Sequence, residues 1–151
     1  MHRAGVRISF LLTPDVAAEQ MLRSTLQATA QMAPPLMLAL VMHWLRSGVA
    51  DQIVTAIRNE AIGRQQLAAK LLKGQPFAAY SKGHHLWLSL PRHWNRGDFV
   101  AHVLREGLAV VPSEAFAVDQ AAAAPHAVRV SLGAARNRTE LSTALHLWPQ
   151  R

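Results

Sequence analysis

Histidine, serine and arginine are the residues of this chain whose spacing could serve chemistry. Eight histidines raise the question of a metal site. His84, His85 and His93 fall close together, at a strand and its exit. Adjacent strand residues point to opposite faces, so His84 and His85 do not easily share one ion. The chain has no cysteine, and no nearby carboxylate completes a ligand set. No metal site is expected. No serine sits in a GxSxG-type turn, and there is no GxGxxG, Walker loop or HExxH pattern. Arginine remains. Its guanidinium is a planar fork of paired donors that matches phosphate or carboxylate. Val128, Val130 and Leu132 share one face of a strand, and Arg129 and Ser131 share the other. By strand pattern alone Arg129 is an arginine on a solvated strand face.

Composition narrows the field. The 151 residues suffice for one domain, or one and a part, with a modest core. Half are hydrophobic and 17% are charged, which is globular and not disordered. A formal charge of +7 and a pI near 11.3 suggest nucleic acid. The arginines, however, are scattered from Arg3 to Arg151 without a basic run, and aromatics do not interleave with them. The charge is read as solvated surface. The lack of cysteine excludes disulfides and is compatible with a cytoplasmic location. Ile8 to Leu12 is too short for a signal-peptide core. Leu36 to Leu45 contains His43 and spans about half of the roughly 20 residues that a membrane helix needs. No membrane segment is expected. Trp44, Trp87, Trp94 and Trp148 are read as packing residues.

The elements that must position these residues follow from pattern. Ile8 to Leu12 predicts a short buried strand. Thr13 and Pro14 predict a helix start, with Thr13 as cap, and a helix from Asp15 to about Ala30. Pro34-Pro35 interrupts it. Leu36 to Arg46 is apolar nearly all round and predicts a buried helix closed by Ser47-Gly48. A long helix follows from Val49 to about Lys73. Val49, Ile53, Ile57 and Ala61 lie on its apolar face, and Arg58, Glu60, Arg64, Gln65 and Lys70 on its wet side. Gly74 and Pro76 stop it. Leu86, Leu88 and Leu90 predict a strand ending at Pro91. Asn95 caps a helix to Glu106 with Phe99, Val100, Val103 and Leu104 inward and Gly107 at its end. Leu108 to Val111 and Ala127 to Leu132 are strands, and Ala121 to Ala124 is a loop. Asn137 and Glu140 open a last helix lined by Leu141, Ala144, Leu145 and Trp148. The whole is mixed α and β, an α/β (α+β) chain.

Read in order, these segments carry a resemblance. Gly83-His84-His85-Leu86-Trp87-Leu88-Ser89-Leu90-Pro91, then Phe99, then Leu104-Arg105-Glu106-Gly107-Leu108-Ala109-Val110-Val111-Pro112, then Phe116, then Val128-Arg129-Val130-Ser131-Leu132 resemble the small domain of class I/II aminotransferases. The wording is most similar to the aminotransferase-like half of MocR-type regulators of the GntR family, which fuse a DNA-binding domain to a pyridoxal-phosphate-binding body. Ala4 to Pro14 resembles the segment after that family's Schiff-base lysine. Trp44-Leu45-x-Ser47-Gly48 and Arg58-x-Glu60-x-x-x-Arg64 also match. The resemblance covers nearly the whole chain, and the ordered set carries it more than any one motif.

The resemblance implies a partial fold-type I transferase fold. Residues 1–48 would be a remnant of the large domain, 49–74 the long connecting helix, and 75–151 the small C-terminal domain. Arg7 matches the arginine that contacts the cofactor phosphate, and Arg129 the arginine that grips the substrate carboxylate. The cofactor implied is pyridoxal 5'-phosphate, the ligand an amino acid or amine, and the assembly a homodimer. DNA would be met only through an N-terminal domain that this chain lacks. One departure governs activity. The family's catalytic lysine belongs just before Met1, and Lys70, Lys73 and Lys82, the chain's three lysines, lie in no such motif. Without that amine the cofactor has no covalent anchor and the proton-moving group is missing. Ser9 stands where a glycine is common. The expectation is a chain cut short, with no catalytic residue of its own and no stable hold on the cofactor. Two other readings stay open: an interaction or dimerisation module, and a basic nucleic-acid-binding domain.

Overall fold

A computed structural model describes residues 8–106, 108–118 and 124–146. The chain divides into two units, with the boundary at Thr55–Ala56 inside its longest helix. The described part of the first unit holds α1 (Val16–Thr29), α2 (Pro35–Arg46) and the start of α3 (Val49–Leu71). Asp15 caps α1: its backbone is extended and its Oδ1 accepts from the Ala18 N–H at 2.8 Å. The sequence pointed to Thr13 and Pro14 instead. Asp is the stronger cap, and its charge suits the positive end of the helix dipole. α1 also stops before the prolines. Gln31 adopts a left-handed φ of 59° and donates to Leu26 O, turning the chain out of the helix. Gly48, at φ +74°, separates α2 from α3 as the sequence predicts.

Two expectations for this unit are not met. Residues 8–13 form no strand among the described residues, since no second strand is there to pair with them. α2 has no buried residue, and Leu36 at its start is 75% exposed. Its apolar character is as predicted, but the unit has too little chain to enclose it. No described helix is long and apolar enough to cross a membrane.

The second unit has a core. Its four-stranded sheet runs β1 (Phe77–Ala79), β2 (His85–Ser89), β4 (Ala127–Ser131) and β3 (Val110–Pro112) in spatial order, every pair antiparallel. The short β1 has no periodicity and was not readable from sequence. β2 and β3 run parallel to each other through α4 (Arg96–Arg105), and β4 slots between them. Pro112 is tolerated because β3 is an edge strand. Leu86 and Leu88 of β2 and Val128 and Val130 of β4 face a core that they share with Ala68 and Leu72, Phe99 and Val103 of α4, and Leu141 and Leu145 of α5 (Arg138–His146). The predicted inward face of α4 is narrower than expected: Leu104 is 59% exposed. Gly107, Ala121 to Ala123 and Trp148 lie outside the described residues.

α3 is pinned to this unit by two side chains that the sequence placed on its wet side. Arg64 and Gln65 are only 7% and 6% exposed. Arg64 donates from one terminal nitrogen to Leu132 O at 2.7 Å and Ala135 O at 2.8 Å, and from Nε to Glu60 at 2.7 Å. Gln65 donates to Gly83 O at 2.9 Å and His85 O at 3.0 Å. A buried carbonyl without a donor is costly, so these polar groups are required where the chain leaves β4 and enters β2. Glu60 is gripped from a second side by Arg138 at 2.7 Å. The two guanidiniums, Arg138 first, hold its carboxyl below the usual carboxylate range.

Candidate ligand-binding site

One face of the sheet lies on the core. The other carries the chemistry. Register sets Ala78, Trp87, Arg129 and Val111 in one row across the four strands, with His85 opposite Ser131 in the next. Arg129 is therefore flanked by Trp87 on one side and Val111 on the other. Its side chain is half-buried. The guanidinium carbon lies 4.3 Å from the centre of the Phe116 ring. Phe116 in turn meets Trp87 edge to face, centroids 5.3 Å apart and planes at 82°.

Phe116 reaches this place from a 3₁₀ turn, Ser113–Phe116, that follows β3. Several contacts fix the turn. Ser113 Oγ donates to Pro125 O. Glu114 is paired with Arg96 at 2.9 Å, and Arg96 also donates to Ala124 O and Pro125 O, both at 3.0 Å. Arg96 thus ties the start of α4 to the turn and to the chain entering β4. Glu114 has its carboxyl lowered from the usual range, first by its own backbone N–H and then by Arg96.

Arg129 differs from the other buried or half-buried arginines. Arg64 and Arg96 spend their donors on carbonyls and carboxylates. Arg129 Nε is buried and has no hydrogen-bond partner among the described residues. A buried unpaired donor on a cation is costly, and no acceptor on the described residues meets it. His85, diagonal to it, is shifted below the ordinary histidine value, first by burial and then by repulsion from Arg129 and His84. At neutral pH the face therefore carries one permanent positive charge beside two aromatic rings. Chemically, a guanidinium set beside rings suits a carboxylate attached to an apolar body.

A cleft of about 450 Å³ lies elsewhere, at the start of α4, lined by Arg92, Trp94, Arg96, Glu114 and His126 among others. Arg96 there is already consumed by structure, so the unpaired donor and not this cleft marks the candidate site. Among the described residues no group of three or more histidines and carboxylates could hold a metal ion. Of the two site residues singled out in the sequence, Arg129 stands in this row and Arg7 lies outside the described residues. Phe116 and Trp87 had no assigned role beyond motif and packing. Their partnership depends on register and on a turn that no local pattern announces.

No protein-family model and no curated protein matches the sequence. Solved structures do match. An archaeal alanine:glyoxylate aminotransferase superposes with a TM-score of 0.75 at 18% identity, over 94% of this chain and 36% of that one. An α-aminoadipate aminotransferase from Thermus thermophilus, solved with N-(5'-phosphopyridoxyl)-L-leucine, gives 0.73 at 21% identity, over 86% and 34%. A kynurenine aminotransferase from Pyrococcus horikoshii gives 0.74 at 15%, over 87% and 33%. At these identities the likeness is one of fold.

A pyridoxal cofactor needs an amine for its aldehyde and donors for its phosphate. Lys70, Lys73 and Lys82 are all exposed, on α3, just past it, and in the β1–β2 turn. Among the described residues these lysines are the only lysine amines, and none stands in the row that holds Arg129. The chain has a mixed α/β, partial aminotransferase fold that spans about a third of the length of the solved aminotransferases it matches.

Proposed function

We propose that this chain is the C-terminal third of a class I/II aminotransferase-like body, of the kind joined to a DNA-binding domain in MocR-type GntR regulators, and that Arg129 holds the carboxylate of its amino-acid ligand. Residues 1–48 belong to the large domain in this reading, 49–74 to the connecting helix and 75–151 to the small domain. Arg7 contacts the cofactor phosphate once the remaining two thirds are supplied. The intact body is a cytoplasmic homodimer that binds pyridoxal 5'-phosphate and meets DNA only through its N-terminal domain. The chain alone does no transamination, because none of its lysines stands in the Schiff-base motif.

The observation that carries the reading is the half-buried Arg129 with its unpaired Nε. Two measurements test it. Benzoate titrated into the pure chain should perturb the Arg129 Nε–H resonance and bind, and Arg129→Gln should abolish that binding. Equal affinity in the variant would overturn the assignment. Mixed with one equivalent of pyridoxal phosphate and then borohydride, the chain should give no more pyridoxyl adduct than its exposed amines give after unfolding. A specific adduct on Lys70, Lys73 or Lys82 would overturn the claim that the chain is inert alone.

A second reading rests on a different observation. Among the described residues, neither α1 nor α2 has a buried residue, and Leu36, Leu45, Met21 and Met32 are exposed. Such surface fits an interaction or dimerisation module.

A further inference from the structure

The arginine fork needs something to aim it, and the usual devices are absent. Among the described residues Arg129 has no carboxylate partner and no carbonyl acceptor. What touches it is a ring. Resting on the carboxylate reading above, we infer that Phe116 is a positioning residue for Arg129, with Trp87 buttressing the ring. The Phe116 ring covers the guanidinium at 4.3 Å, and the edge-to-face contact with Trp87 at 5.3 Å stops it from swinging away. Trp87 is itself fixed, as the register partner of Arg129 on the neighbouring strand.

The physical advantage lies in which part of the guanidinium is used. A ring attracts the cation through its π face, whereas the N–H bonds lie in the plane of the guanidinium. The contact holds the guanidinium while no carboxylate or carbonyl of the described residues takes its donors. A carboxylate hydrogen-bonds in that plane and competes with nothing. Arg64 and Arg96 are held in the opposite way, by acceptors in the plane, and have fewer donors left for a ligand. The turn that delivers Phe116 is secured by Ser113, Glu114 and Arg96, so these residues act on the fork through the ring.

The test is nuclear magnetic resonance on the full chain, wild type against Phe116→Leu and Phe116→Tyr, with benzoate as the probe. Phe116 is exposed enough that leucine should leave the fold intact, checked by the unchanged amide spectrum of β2 and β4. In the wild type the Arg129 side-chain resonances should carry a ring-current shift. Phe116→Leu should remove it and weaken benzoate about two- to fivefold, and Phe116→Tyr should restore both. Unchanged Arg129 resonances and unchanged affinity in Phe116→Leu would overturn the inference. Loss of the ring-current shift together with a wild-type chain that ignores benzoate would sink the carboxylate reading, and the inference with it.

Discussion

Four arginines of the second unit show how far environment outweighs residue type. Arg64 braces two carbonyls, Arg96 ties a turn, Arg138 grips Glu60, and Arg129 keeps an unpaired donor. Replacing Arg64 by leucine should leave Leu132 O and Ala135 O unpaired in the interior. A loss of about 2–4 kcal/mol is expected in urea unfolding, against little change for the exposed Arg23→Leu. Glu60 gives a pH signature. Its carboxyl is lowered by Arg138 and Arg64, so the folded state binds that proton less readily than the unfolded one. The associated stability is complete above the ordinary carboxylate range and is lost as pH falls through the lowered value. Glu60→Gln should flatten the acid limb of the stability curve and leave its slope near neutrality unchanged. His85 works through ligand binding. A carboxylate on Arg129 removes part of the repulsion that lowers its pKa. Benzoate should therefore raise the His85 pKa, seen in its ring-proton titration, and bind more tightly as pH falls.

At the scale of elements, caps and alternation were readable and burial was not. Asn95 caps α4 by accepting from Gly97 N at 2.8 Å, as its position implied. Asn137 caps α5 by accepting from Glu140 N at 2.8 Å, while Glu140 reaches back to Arg136 N at 2.9 Å. Asn137→Ala should cost about 1 kcal/mol, read as a lower melting temperature with the sheet-face site unaffected. The alternation in Leu86–Leu90 and Val128–Leu132 sorted the two sheet faces correctly, because strand side chains alternate whatever lies around them. The face of α3 was read half right. Of the residues read as its apolar face, Ala61 is buried but Ile57 is 48% exposed, while Arg64 and Gln65, read as wet, are buried. Their helical spacing from Ala61 and Ala68 was a usable signal, overruled because polar residues are usually exposed. Residues 8–12 had the composition of a strand, and no described strand pairs with them.

For the whole molecule, the contrast is between a unit with a core and a unit whose α1 and α2 have no buried residue. Residues 56–146 enclose Phe99, Leu72, Leu86, Leu88 and Val128 almost completely. The helices of residues 16–46 leave Met21, Leu36 and Leu45 in water. Exposed apolar area on that scale promotes association. The pure chain should self-associate in light scattering, and Leu36→Gln with Leu45→Gln should shift it toward monomer. A monodisperse wild-type monomer would remove the interaction reading.

Composition, cap chemistry and apolar alternation were enough to place most helices, to recover β2 and β4, and to put Arg129 on the face away from the core. These features act within a few residues, so a linear reading reaches them. The fate of each arginine was out of reach. Arg64 is bound to acceptors 68 and 71 positions along the chain, and Arg129 is covered by a ring from a turn before its own strand. Such pairings exist only once strands have chosen their register, which is a property of the folded chain and not of any segment.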